Sequence, residues 1–291
     1  MPDYTAIIFA LIALLSWGLA EFYIQKLSRI IGVWKVLFSV GVMGFIFLLP
    51  FIKNEIVALD AGGIIQLTIL GMVIFSASFF NFAALKKGKI SIVEPLIGME
   101  LPLTVALSVG LGRESLTIIQ SLLIVVIFIG LLMVITMHHK HLHQTRKTIE
   151  KGVMLAVAGA ICLALTNFLV GVSSRQISPL MVIWFAHTEL AIICAFYLMY
   201  IKKFHAMIVD LKSHLKATMA QSLLYNLGWL AFAFATTTIA TSIVTAISES
   251  YIILGVILGI FVNREKLKRH QIVGLIIAIG GILVLSILMA S

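Results

Sequence analysis

The sequence predicts an all-α integral membrane protein of ten transmembrane helices, arranged as two inverted five-helix repeats. Hydrophobic residues make up 61% of the 291 positions and charged residues only 11%, a balance that a soluble domain of this length could not expose to water. The chain also divides into ten apolar runs, and its second half aligns with its first. Composition, run length and duplication therefore point to the same class of fold.

The ten runs each have the roughly 20 residues that a helix needs to cross about 30 Å of hydrocarbon. Strands are not expected, because the runs lack the apolar–polar alternation of a membrane β-barrel. Short turns that carry the basic residues separate the runs. The predicted spans are 4–25, 31–52, 63–85, 90–111, 115–137, 152–173, 179–201, 215–237, 239–262 and 270–289.

A shift of 151 positions superimposes the two halves without a gap. Five spans per half is an odd number, so the second copy enters the membrane from the opposite face. The halves are then related by a pseudo-two-fold axis in the membrane plane, and the working site is expected near the midplane between them. The alignment pairs Ser91-Ile92-Val93 with Ser242-Ile243-Val244, Arg113-Glu114 with Arg264-Glu265, Gln120 with Gln271 and Gly130 with Gly281.

The predicted organisation is a first repeat over 1–137, a connector over 138–151 and a second repeat over 152–291. The connector is basic and holds four of the eight histidines, at His138, His139, His141 and His143. Such a tract could bind a metal, but 138–143 contains neither cysteine nor carboxylate, which favours a solvated basic loop. We therefore predict no metal site.

The basic residues are unevenly divided between the two membrane faces. Of the 21 lysines and arginines, only Lys53, Arg113 and Arg175 lie on the side of the termini. The positive-inside rule then places both termini outside the cytoplasm of a cell inner (plasma) membrane. The net charge of +9 therefore reflects the topology of the chain in the membrane. The expected partner of the protein is membrane lipid, not nucleic acid. The sequence leaves monomer and homodimer open.

Several ionisable side chains lie inside the apolar runs, with no lysine or arginine at comparable depth. A carboxylate at the bilayer centre costs about 2.5–3.5 kcal/mol, so each is a functional candidate. An acidic interior without fixed cations favours a cationic, amine-bearing or zwitterionic small-molecule substrate, with protons as possible coupling ions. The residues are Glu21, Glu94, Glu100, His187, Glu189 and Glu249.

Glu100 and Glu249 rank first because they lie near the middle of runs that the repeat makes equivalent. Glu249 aligns with Gly98, and Glu100 aligns with Tyr251. They either line a central cavity or form hydrogen bonds that only hold the bundle together. Pro102 removes the backbone bond to the Gly98 carbonyl, so we expect a mid-helix hinge beside Glu100.

The remaining carboxyls are placed by depth and helical angle. Glu21 lies about one turn inside the cytoplasmic end of its run, and Glu94 can snorkel to the interface. Glu189 and His187 are about 200° apart on one helix, so one of them faces the interior. We expect that residue to be Glu189.

Aromatic and amide side chains complete the candidate site. Trp17, Tyr225 and Trp229 could form cation–π walls, although such residues also serve as interfacial belts and core filler. Asn81, Asn167 and Asn226 could bind the substrate or bridge helices, and bridging is favoured.

Several function classes lack sequence support. The chain has no Gly-rich phosphate loop or Walker lysine, and no nucleophile paired with a base. We therefore expect neither an enzyme nor a cofactor. The leading interpretation is a secondary transporter that works by alternating access and exports a cationic or zwitterionic small molecule against protons. Substrate and proton then occupy the same carboxyls in turn. The alternative is a non-transporting membrane scaffold, sensor or lipid-translocation partner.

Specific motifs resemble the EamA family of the drug/metabolite transporter superfamily. They are the opening 16–26, Ala84-Leu85-Lys86, Glu100-Leu101-Pro102, Gly112-Arg113-Glu114 and Gln120, with Ser242, Arg264-Glu265 and Gln271 in the second copy. The resemblance implies ten helices in two inverted repeats, alternating access and a substrate cavity between the halves. Family members are secondary carriers, often exporters of amino acids, metabolites or drugs.

One further similarity bears on mechanism. Leu19-Ala20-Glu21 is similar to the first helix of the short multidrug relatives, whose glutamate carries both protons and cationic drugs. Two departures also stand out. Family termini are usually cytoplasmic, opposite to the charge count here, and Ile253 replaces Pro102 in the second copy.

Overall fold

The computed structural model describes residues 3–87, 93, 96–135, 146–251, 254 and 269–290. Throughout these ranges the regular elements are helices. Predictions for Glu94, for most of the connector and for Arg264-Glu265 fall outside them. The helices are α1 (Asp3–Ile30), α2 (Val33–Ala58), α3 (Ala61–Lys87), α4 (Glu100–Gly110), α5 (Ile118–Ile135), α6 (Arg146–Gln176), α7 (Pro179–Tyr200), α8 (Phe204–Ser213), α9 (Leu215–Thr236), α10 (Thr241–Ser248) and α11 (Arg269–Ala290).

Five of the described helices are long and apolar enough to cross a membrane. They contain the segments Tyr4–Ile30, Val33–Lys53, Ala61–Lys87, Gly152–Gln176 and Pro179–Tyr200. The 22-residue helix α9 is not among them, because its interior face carries polar side chains such as Gln221, Ser222 and Asn226. These side chains are buried against other helices, so a helix of low hydropathy still packs in the bundle.

Helices of the first half pack antiparallel against helices of the second half. On α1 and α9, Phe9 stacks on Phe234 with ring centroids 5.4 Å apart, and Trp17 meets Trp229 at 4.9 Å. The helix α2 pairs with α7, α3 with α6, and α5 with α11. At the 151-residue shift, α2 corresponds to α7 and α5 to α11, so each of these two pairs joins a helix to its own repeat equivalent. Because α1 corresponds to α6 and α3 to α9, the α1–α9 pair corresponds to the α3–α6 pair.

Glycines allow the closest helix crossings. A Cβ at Gly41 would lie 2.6 Å from the backbone nitrogen of Ala191 on α7. One at Gly44 would lie 2.4 Å from Asn226 Oδ1 and 2.8 Å from the His187 side chain. Any larger residue would therefore push α2 away from α7 and α9.

The fourth and ninth apolar runs are each broken by a turn. Residues 98–99 form a turn before α4, and residues 249–250 form a turn after α10. The break expected beside Glu100 is present as the turn at 98–99, but Pro102 itself lies not in mid-helix but in the first turn of α4, where a missing N–H costs little. The two breaks align at the 151-residue shift although the second copy has Ile253 in place of Pro102, so the proline is not required for the break.

One end of the bundle is tied together by Glu114, in the connection between α4 and α5. Its carboxylate accepts hydrogen bonds from Thr241 N (2.7 Å), Ser242 N (3.1 Å) and Ser242 Oγ (2.8 Å) at the start of α10. Arg175, at the end of α6, pairs with it at 3.1 Å. Partial burial alone would raise the pKa of Glu114, but the bonds from Ser242 and Thr241 outweigh it and hold the pKa below its ordinary value.

The opposite end carries its own cross-links. Arg29 Nη2 at the end of α1 donates to the Leu85 carbonyl at 3.3 Å, and Lys35 forms an ion pair with Asp210 of the short helix α8. Leu85 aligns with Thr236 in the repeat, and Arg175 Nε donates to the Thr236 carbonyl at 2.7 Å. An arginine therefore bonds an equivalent carbonyl at each end.

Replacing Gly44 by Ala tests the close packing of α2. The added methyl group overlaps Asn226 and His187, so we expect Gly44→Ala to destabilise the protein by about 1–3 kcal/mol. The matched control is Gly280→Ala on α11, where a Cβ meets nothing within 4 Å. Thermal unfolding in detergent measures both, and equal melting temperatures for the two variants would contradict this packing.

Candidate functional site

A small cavity lies between the two halves of the chain. Its empty space, including the opening, is about 330 Å³. The cavity proper is about 30 Å³, room for about two water molecules, so a ligand can enter only if the walls move apart. Its walls come from α1, α3, α4, α6, α9 and the turn after α10, through Trp17, Glu21, Asn81, Glu100, Leu163, Asn167, Tyr225, Trp229, Glu249 and Tyr251.

Three carboxyl groups reach this cavity from three helical segments. Glu100 is 2% exposed and Glu249 is 4% exposed, and the two carboxyls share a hydrogen bond. A hydrogen bond between two carboxyls needs a proton on one of them. Glu21, which is half-buried, accepts a hydrogen bond from Asn81 Nδ2 at 3.3 Å. The cavity thus holds two adjacent, hydrogen-bonded acids and a third acid bonded to an amide.

Aromatic rings form the wall beside these acids. Trp17 packs edge-on to Trp229, and Tyr225 lies 6.4 Å from Trp229 between ring centroids. A Cβ at Gly228 would lie 2.4 Å from Trp17 Nε1, so the glycine makes room for the indole. The Tyr225 hydroxyl is 2.9 Å from Ser78 Oγ, which fixes its direction.

The three asparagines divide between the two roles that the sequence left open. Asn81 and Asn167 line the cavity, and Asn167 Nδ2 makes a long 3.5 Å bond to Thr104 Oγ1. Asn226 instead bridges helices outside the cavity. Its amide donates to the carbonyls of Val40 (3.0 Å) and Ser222 (2.8 Å), and its oxygen lies 2.7 Å from His187 Nδ1.

The expectation that only one of Glu189 and His187 faces the interior does not hold, because both side chains pack against other helices and Glu189 does not line the cavity. His187 is fully buried, in contact with Asn226 and tilted against the Tyr225 ring at 6.2 Å. Glu189 lies on the other side of α7, where a Cβ at Gly71 of α3 would be 2.1 Å from its Oε2. Helical spacing correctly placed the two residues on different sides of α7. Hydropathy alone could not predict which of these sides packs against α2 and α9.

Two contributors to the site were not predicted from the sequence. Leu163 lines the cavity from α6, and nothing in an apolar helix distinguishes it from its neighbours. Ser78 orients Tyr225 without lining the cavity. Gly98 lies in the turn next to Glu100, whereas Pro102 lies inside α4 and does not line the cavity.

The electrostatic character of the cavity is acidic and aromatic. Among the described residues that line it, none is lysine or arginine. Carboxyl oxygens and aromatic faces stabilise a positive charge, and uncharged amide and hydroxyl groups can orient the rest of a ligand. In the part of the chain that the structure covers, no three histidine, cysteine or acidic side chains are grouped to hold a metal ion.

Helices of membrane-spanning length around an internal acidic cavity are typical of a multi-pass membrane protein. The model of the EamA-like transporter family matches residues 4–136 and again residues 150–287. The chain therefore belongs to the EamA-like transporter family.

Two similar proteins extend this result. An uncharacterized protein of Methanocaldococcus jannaschii is 32% identical over 131 residues, which cover 44% of this chain and 95% of that protein. A protein of known crystal structure has a TM-score of 0.76 at 14% identity, covering 97% of this chain and 96% of its own. At that identity, the second likeness shows the fold alone.

Replacing Asn226 tests its role as a bridge. Asn226→Ala removes the partner of two buried carbonyls and one imidazole nitrogen, so we expect a loss of about 1–3 kcal/mol of stability. Thr237→Ala on the same chain segment is the control, since its exposed hydroxyl bonds only within its own turn. Chemical unfolding in detergent compares them, and a stability loss no larger than the control's would remove Asn226 from the structural network.

Proposed function

We propose that this protein is a secondary active transporter that exports a small cationic or zwitterionic molecule in exchange for protons, by alternating access. The observation that carries the proposal is the cavity itself. It brings Glu21, Glu100 and Glu249 together with aromatic rings and, among its described lining residues, no fixed cation. A substrate with an amine or quaternary ammonium group supplies the missing charge.

Ten spans in two inverted halves are the architecture that this function uses. Four observations support it: the family model matches twice, the main helix pairs map onto one another under the repeat, the breaks at 98–99 and 249–250 align, and a relative has about the length of one half. An axis in the membrane plane reverses the direction of equivalent helices, as in the antiparallel α2–α7 pair.

The Glu100–Glu249 pair is the proposed exchange site. The shared proton keeps two buried carboxyls from repelling one another while no substrate is present. A substrate cation that enters between them replaces this proton, because the pair then ionises fully against the bound charge. Glu21, with Asn81, is the third acid that a zwitterionic or cationic ligand meets, and Glu189 takes no part in this cavity.

The aromatic wall supplies selectivity for organic cations over small inorganic ions. The faces of Trp17, Tyr225 and Trp229 attract an alkylammonium group and contribute about 0.5–2 kcal/mol for each good contact. Asn167 and Tyr251 are the proposed partners of the remaining polar groups of the substrate. Asn226, in contrast, is assigned to the structural network.

The proposed location is the cell inner (plasma) membrane, with both termini outside the cytoplasm. The unequal distribution of lysine and arginine between loops supports this orientation. The end tied by Glu114 then faces outward, and the end with Arg29 and Lys35 faces the cytoplasm.

Purified protein in proteoliposomes tests the exchange mechanism. Amino acids, polyamines and quaternary amines are first screened by thermal shift, since a ligand that binds the native form raises its melting temperature. A hit is expected to show saturable, gradient-driven flux, and its affinity is expected to fall as pH falls, because protons compete for the same carboxyls. Affinity that is constant from about pH 5 to 9 would exclude antiport through these groups.

Glutamine substitutions assign the carboxyls. Glu100→Gln and Glu249→Gln keep the size of the side chain but cannot exchange a proton, so coupled flux should fall by more than about tenfold. The matched control is Glu189→Gln, which removes an intramembrane carboxyl outside the cavity and should transport normally. Unchanged flux in both cavity variants would make the pair structural, and a wild-type protein without any gradient-driven flux would favour the scaffold alternative.

A further inference from the structure

The Glu114–Arg175 ion pair joins segments that are far apart in sequence. Glu114 comes from the connection between α4 and α5, and Arg175 from the last turn of α6. Arg175 also donates to the carbonyls of Thr236 (2.7 Å) and Ile239 (3.4 Å) and to Thr241 Oγ1 (2.8 Å). One carboxylate and one guanidinium therefore connect both halves at this end of the bundle.

The local backbone directs Glu114 into this position. After α4, the N–H groups of Leu111 and Gly112 both bond the Leu107 carbonyl, and Arg113 takes a left-handed conformation with φ 54°. The Glu114 N–H then donates to the Ser108 carbonyl at 3.0 Å. This reversal turns the carboxylate toward the start of α10. The first backbone N–H groups there have no partner within the helix, and together with the helix dipole they favour a negative charge.

The same segments continue from this ion pair to the cavity. Along α6, Arg175, Gly171 and Asn167 follow one another at four-residue spacing, and Asn167 lines the cavity. Gly171 packs against Thr241, since a Cβ there would lie 2.2 Å from Thr241 Oγ1. Along α10, Glu249 lies eight residues beyond Thr241, a distance of about 12 Å in a helix.

We propose that the Glu114–Arg175 network is a releasable latch, which closes the cavity toward this face and positions α10 so that Glu249 reaches Glu100. The inference rests on the proposed alternating access, and it adds residues outside the cavity to that cycle. Opening toward this face requires α6 and α10 to separate from the α4–α5 connection, and that movement breaks the bonds to Glu114. Glu114 is a positioning residue, since it acts through α10.

Thiol labelling from each membrane face tests the latch. The full chain carries a single reporter, Leu163→Cys in the cavity wall, with Cys162→Ser and Cys194→Ala. A membrane-impermeant charged methanethiosulfonate is added to right-side-out or inverted membrane vesicles. The reference protein should label slowly from the Glu114 face. Glu114→Gln should label about tenfold faster from that face and more slowly from the opposite face, because the population shifts between two states.

Two further variants separate a latch from simple loosening. Glu114→Asp retains the charge and should label at an intermediate rate. Lys53→Gln removes an exposed charge outside the network and should match the reference. Equal rates for Glu114→Gln and the reference would overturn the latch. So would faster labelling of Glu114→Gln from both faces, or a cavity cysteine that is unreactive in every variant.

Labelling needs neither substrate nor a proton gradient. Failure of the latch is therefore distinguishable from failure of the proposed transport. Face-specific labelling without proton-coupled flux would contradict the exchange mechanism and leave the latch standing. Coupled flux together with labelling rates that do not change on substitution of Glu114 would support the exchange mechanism and contradict the latch.

Discussion

The structure depends on how a bundle of apolar helices accommodates buried carboxyl groups. In hydrocarbon an ionised carboxylate needs a partner, and the described walls of the cavity offer no lysine or arginine to Glu21, Glu100 or Glu249. In the proposed mechanism, a proton shared between Glu100 and Glu249 resolves this problem locally. The solution holds only while the two carboxyls stay together, so the chemistry of the site and the distance between the halves are linked.

Close helix packing sets the distance between the two halves. Glycines at the α2–α7 and α5–α11 crossings bring backbones together, because a Cβ at Gly41 or Gly130 would clash with the facing helix. Glu100 and Glu249, by contrast, lie beside short helices: Glu100 begins α4, and Glu249 follows the end of α10. Tight pairs form rigid blocks, while the breaks place polar backbone next to the cavity, where a ligand can use it.

Much of the cavity could be predicted because the relevant signals depend on residue type and not on the direction in which a side chain points. A glutamate within an apolar run is costly wherever it points, so Glu100 and Glu249 were identifiable from the sequence alone. The internal repeat then located them near the middle, and both line the cavity. Membership of the EamA-like family was predicted from ordered motifs along both halves, and the family match over both halves confirms it.

The remaining details depend on which side of a helix meets which neighbour. Glu189 and His187 could not be distinguished by hydropathy, since the choice is made by Gly71 on α3 and Asn226 on α9. The position of Pro102 was misjudged because a proline in an apolar run signals a break without saying on which side of it the helix begins. Arg175 looked like a loop charge, because its partner Glu114 lies 61 residues away in the chain.

The most direct test of the account is a pair of distances measured by double electron–electron resonance on the full chain in proteoliposomes. One pair of spin labels replaces the exposed Arg113 and Thr237 at the Glu114 end, and the other replaces the exposed Lys86 and Lys203 at the opposite end. As pH and substrate are varied, alternating access predicts two populations in each pair, with one distance lengthening while the other shortens. Distances that stay fixed at both ends, or that change together, would contradict a cavity that opens to one face at a time.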